Sequence, residues 1–164
     1  MNGRMILVVI VIATAALPAN AERVPVTCDQ FITSLTDGGK EKYDAPSLTI
    51  GKTLAYGDFK DSELTMFPDV YIGLSCLNGQ LDSFTVMPET RKPMDVMHAG
   101  FTWGIAMHAF GLDWKKALNI RDEMVRVVSK EGRSETRVDG ATIRLYMGVT
   151  GIPVFQIEYP DPTH

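Results

Sequence analysis

Apolar and polar positions alternate most clearly at residues 70–87. Val70, Ile72, Leu74 and Cys76 share one face, and the period of two predicts a half-buried strand. Asn78-Gly79 then supplies the two residues that tolerate positive φ in a tight hairpin turn, and Leu81 to Met87 returns as the partner strand. A second hairpin is expected around Asp139-Gly140, with Ile143, Leu145 and Met147 facing the core. Phe155, Ile157 and Tyr159 alternate with Gln156 and Glu158 as a last strand, which Pro160 and Pro162 stop. Upstream, Leu48 and Ile50 alternate with polar neighbours, and Leu54 to Phe59 is apolar with a break at Gly57. The polar run 60–69, KDSELTMFPD, reads as a connection.

Three stretches change to helical spacing. Thr27-Cys28-Asp29-Gln30 has the S/T-x-x-Q form of a capping box, and Cys28, Phe31, Ile32 and Leu35 follow on one side. Asp37-Gly38-Gly39 is expected to end that short helix, with 38–46 a polar loop. Met94 to Phe110 is the second helix, apolar nearly all round and therefore expected to be central. Gly111 suits its C-terminus. Asp113 caps a third helix, Trp114 to Lys130, whose stripe of Ala117, Ile120, Met124, Val127 and Val128 is backed by charges; Gly132 ends it.

The resulting order is α-β-β-β-α-α-β-β. Strands in hairpins rather than β-α-β crossovers predict an α+β domain, with an antiparallel sheet of about five strands and two or three helices on one face.

The first residues alter the picture of where this domain resides. Arg4 precedes an apolar run from Met5 to Leu17, Pro18 breaks it, and Ala19-Asn20-Ala21 fits the small-x-small rule for signal cleavage. The run is short for a spanning helix, which needs about 20 apolar residues. Residues 1–21 are thus read as a cleaved secretory signal and 22–164 as one domain, periplasmic or secreted, with no stable membrane span after cleavage. Sixteen basic against 20 acidic residues, a net charge of −4, argue against nucleic acid as a partner. Two cysteines in an exported chain predict one disulfide, Cys28 to Cys76. It closes a loop worth up to ~4 kcal/mol of chain entropy.

Chemistry is sparse. There is no G-x-S-x-G, H-E-x-x-H, CxxC or phosphate-binding loop. The stretch MHAGFTWGIAMH at 97–108 carries two Met-His pairs, and Met with His are soft-metal ligands. Ten helical residues rise about 15 Å, so His98 and His108 cannot share an ion. Met94, Met97 and His98 lie within one turn and form the only chelate worth testing, for copper(I). No other cofactor is implied. Gly100 and Gly104 allow close approach of another backbone, so a homodimer contact is one use of this helix. Gly100, Phe101, Trp103, Gly104, His108 and Trp114 form the candidate surface for a partner or ligand. The acids Asp58, Asp61, Glu63 and Asp69 could pair for hydrolysis but match no calcium loop. The expected function is an exported, non-catalytic protein that binds a protein partner or a small apolar ligand, as an inhibitor or accessory factor. The alternatives are copper(I) binding and a hydrolase of unrecognised type.

Overall fold

The computed structural model describes residues 26–138 and 140–159; the stretch 1–21 read as a signal, Asp139, Pro160, Pro162 and His164 lie outside them. The chain opens with α1 (Cys28–Tyr43), then runs through β1 (Thr49–Tyr56), β2 (Phe59–Thr65), β3 (Val70–Leu77) and β4 (Gln80–Pro88). Helices α2 (Pro93–Ala109) and α3 (Trp114–Glu131) follow, and β5 (Arg133–Val138), β6 (Ala141–Met147) and β7 (Pro153–Glu158) complete it. The strands form one sheet in the order β1-β2-β3-β4-β7-β6-β5, antiparallel at every pairing. It is an α+β domain of two meanders joined where β4 meets β7. The sheet has seven strands among the described residues, not about five.

The two extra strands are polar ones. β2 occupies most of the stretch read as a connection. Ser62 and Leu64 point to the covered face, and Asp61 and Glu63 to the open one. β5, with the sequence RSETRV, is an edge strand whose only large apolar residue is Val138. In both, the alternation is real but its inward positions are weakly apolar.

α1 begins as expected, with Thr27 and Gln30 exchanging the two capping-box hydrogen bonds. It does not end at Gly38-Gly39 but continues to Tyr43. A Cβ at Gly38 would lie 3.1 Å from Ile105 Cγ2, and one at Gly39 would lie 3.0 Å from Met66 Cε. These glycines therefore buy close helix–core packing and not termination. Asn78 and Gly79 take φ of 52° and 74° in the β3–β4 turn.

The core fills the space between the helices and one sheet face. Val70, Ile72, Leu74 and Cys76 of β3 meet Leu81, Phe84 and Val86 of β4, with Ile143, Leu145, Phe155 and Ile157 beyond. Met147, expected inward, sits at the strand end and is exposed. Trp103 of α2 is fully enclosed with its ring 4.7 Å from that of Phe155. A disulfide joins Cys28 to Cys76 and so fastens the first residue of α1 to β3. No helix among the described residues is long and apolar enough to cross a membrane.

Candidate functional site

The sequence-selected residues of α2 separate into three places. Trp103 and Gly104 face the interior, so they offer no free surface. Gly104 instead admits the Tyr43 hydroxyl of α1, 3.8 Å from where its Cβ would be, while nothing approaches Gly100. The G-x-x-x-G pattern thus serves packing within the chain at one of its two positions.

Phe101, His108 and Trp114 are brought together, through a residue from another helix. Tyr43 stacks on Phe101 at 4.6 Å and meets Trp114 edge-on at 6.1 Å; Trp114 in turn stacks on His108 at 4.4 Å. Lys42 Nζ sits 5.8 Å from the Trp114 ring centre. This half-buried ladder clamps the C-terminal end of α1 to α2 and the start of α3. His108 Nδ1 lies 2.8 Å from the Leu112 carbonyl and donates to it, which fixes the imidazole tautomer.

The other end of α2 is built differently. His98 Nδ1 lies 3.0 and 2.9 Å from the two oxygens of Asp69, and the imidazole stacks on Phe67 at 4.4 Å. Asp95, buried in the same turn, accepts a hydrogen bond from Thr90. Burial is the largest single influence on Asp69 and pushes its pKa up. The hydrogen bonds from His98 and its own backbone, with the His98 charge and Asp95, outweigh it, so the net direction is down. Met94 and Met97 stand exposed beside this pair, at 55% and 40%. Among the described residues no group of three or more His, Cys, Asp or Glu is placed to hold a metal ion.

The signal for the sheet's open face was absent from local motifs, because the register assembles it. Asp61 pairs with Ser75, Ser75 with Ser83, Glu63 with Gly73, and Gly73 with Thr85. These small polar residues floor a concavity of ≈ 360 Å³, walled by Leu54 and Tyr71. A Cβ at Gly73 would meet the Tyr71 hydroxyl at 3.2 Å, so the glycine lets that ring fold over the floor. Asp61 accepts from Ser75 Oγ at 2.6 Å and from the Tyr56 hydroxyl. The Ser75 bond first, then that of Tyr56, holds the Asp61 carboxyl below its ordinary pKa, and Asp61 in turn pushes the Tyr56 hydroxyl up. A general acid needs the opposite shift. Asp58 lies exposed in the β1–β2 turn, so the four acids are not one cluster.

A larger concavity of ≈ 1060 Å³ lies between α3 and β5, where Ile120, Met124 and Val127 meet a rim that includes Glu123, Arg133 and Glu135. Residues 94–110 line neither concavity. Comparison with protein families, curated proteins and solved structures returned no match.

Proposed function

We propose that this is an exported, non-catalytic binding protein that takes a protein partner along the β1 edge of its sheet, by adding the partner's segment as an eighth strand. One observation carries the reading. All eight residues of β1 are exposed, and Ile50, Leu54 and Tyr56 retain 59%, 51% and 54% of their surface. An edge strand offers unpaired N–H and C=O groups, which proteins ordinarily blunt with charge, proline or a covering helix. β1 has one charge, Lys52, and no proline, and among the described residues no helix covers it. Its pairing with β2 is irregular between Ile50 and Thr53, so regular addition runs along Thr53–Tyr56. Main-chain hydrogen bonds would supply affinity there, and the Leu54, Tyr56 and Tyr71 side chains selectivity. The disulfide and the absence of a spanning helix among the described residues are compatible with export.

Selection of extended peptides from a displayed random library against residues 22–164 tests this. Selected peptides should carry apolar residues at alternate positions and shift the amide resonances of Thr53–Tyr56. Leu54→Lys should weaken them by about tenfold, the effect of roughly 1.4 kcal/mol. Peptides that shift only α3 and β5 resonances would favour an apolar ligand in that groove. That outcome would reject the β1 edge.

A further inference from the structure

We infer that the first turns of α2 bind one soft monovalent cation of the copper(I) class, through the thioethers of Met94 and Met97 and Nε2 of His98. The site is independent of the β1 edge.

The His98 imidazole is held from one side. Both Asp69 oxygens lie within 3.0 Å of Nδ1, so Nδ1 carries a proton and donates it to the carboxylate. In the neutral ring that tautomer leaves the lone pair on Nε2. Nε2 makes no hydrogen bond to any described residue, and the His98 side chain keeps 23% of its surface. Phe67, stacked nearly parallel at 7°, holds the ring plane. A histidine with one nitrogen donating to a carboxylate and the other without a protein partner has the arrangement of a metal-binding imidazole with its outer-shell partner.

Its neighbours select the metal. Residues three and four apart on a helix have Cβ atoms about 5–6 Å apart, so Met94 is within reach of both Met97 and His98. Helical side chains lean toward the N-terminus, which carries His98 toward Met94. Methionine is ordinarily a buried residue. Met94 and Met97 keep 55% and 40% of their surface on the turn that carries His98, so core packing does not account for them. Thioether and imidazole donors suit copper(I) and offer little to magnesium or calcium. Asp69, and Asp95 with its hydrogen bond to Thr90, place carboxyl groups behind the imidazole. His108 also stacks on an aromatic ring, but its Nδ1 donates to the Leu112 carbonyl rather than to a carboxylate, and Met107 beside it is fully buried.

Silver(I), a redox-inert stand-in that spares the disulfide, is the probe. Titrated into residues 22–164 with labelled methionine methyls, it should bind at one equivalent, more tightly than micromolar. The Met94 and Met97 methyls and the His98 ring should shift; exposed Met147 and His108 should not. Met94→Leu, Met97→Leu and His98→Ala should each weaken binding by about tenfold or more, and Asp69→Asn by about 10–100-fold. The leucine variants alter exposed side chains, so retention of the fold is readily checked by circular dichroism. Binding weaker than micromolar would overturn the inference. So would binding that survives both leucine variants, or silver that shifts Met147 as much as Met94.

Discussion

The sheet ends in two edges of different construction. β5 is six residues long, and its exposed positions are Arg133, Glu135 and Arg137. Arg144 of β6 ties into it, donating from Nε to Glu135 at 2.9 Å and from a second nitrogen to Glu158 of β7. α3 packs alongside. β1 is eight residues long, carries three large exposed apolar side chains and, among the described residues, has no helix over either face. One edge bears several of the charges that discourage strand pairing, and the other bears only Lys52. This asymmetry is why a partner is proposed for β1 rather than for the larger groove at β5.

The largest effect should separate β1 from the covered strands. Phe84 of β4 is fully buried, and its ring meets that of Phe31 edge-on at 5.0 Å. Phe84→Ala should cost about 3–5 kcal/mol in urea unfolding, and Leu54→Ala about 0.5 kcal/mol or less. Comparable losses from both would mean that β1 contributes to the core and is not a free edge. Replacing Cys28 and Cys76 together with serine should cost about 2–4 kcal/mol. Hydrogen exchange should then quicken in α1 and β3, which the bond joins, far more than in β1; uniform quickening would erase the distinction.

The smallest effect concerns the hydrogen bonds that tie β1 and β2 to β3. Because Ser75 and Tyr56 lower the Asp61 pKa in the folded state, Asp61 stabilises the fold above its ordinary pKa. That contribution is lost as pH falls through the folded value. Asp61→Asn should therefore lessen the acid-side decline in melting temperature. An unchanged acid limb would detach Asp61 from the stability of this region.

Much of the frame was legible in the chain, for local reasons. The Thr27–Gln30 box, the Asn78-Gly79 turn, the Asp113 cap and the apolar girth of α2 each act within a few residues. So does the alternation of β3. β2 reads as a connection and β5 only as the unplaced first arm of the Asp139-Gly140 hairpin, because, of their inward residues Ser62, Leu64, Ser134, Thr136 and Val138, only Leu64 and Val138 are apolar. Gly38-Gly39 looked like a stop because a helical glycine and a terminal one are the same letter. Only the positions of Ile105 and Met66 distinguish them. At the candidate sites, Met94, Met97 and His98 could be grouped by spacing. Asp69 could not be joined to His98, since the two are 29 residues apart and meet only through the fold. The floor of Gly73, Ser75, Ser83 and Thr85 was equally hidden, because register alone brings it together.

The Cys28–Cys76 bond also sets how the molecule carries load. A pull on the chain before Val26 would ordinarily unwind α1 first, from its capped end. Here the tension reaches Cys28 at the first helical residue and crosses a covalent bond into β3, between β2 and β4. Strands would then have to shear together along their lengths, while the helix stays outside the force path. A domain tugged from its N-terminal side would thus resist as a sheet, with β1, two strands away, outside the force path.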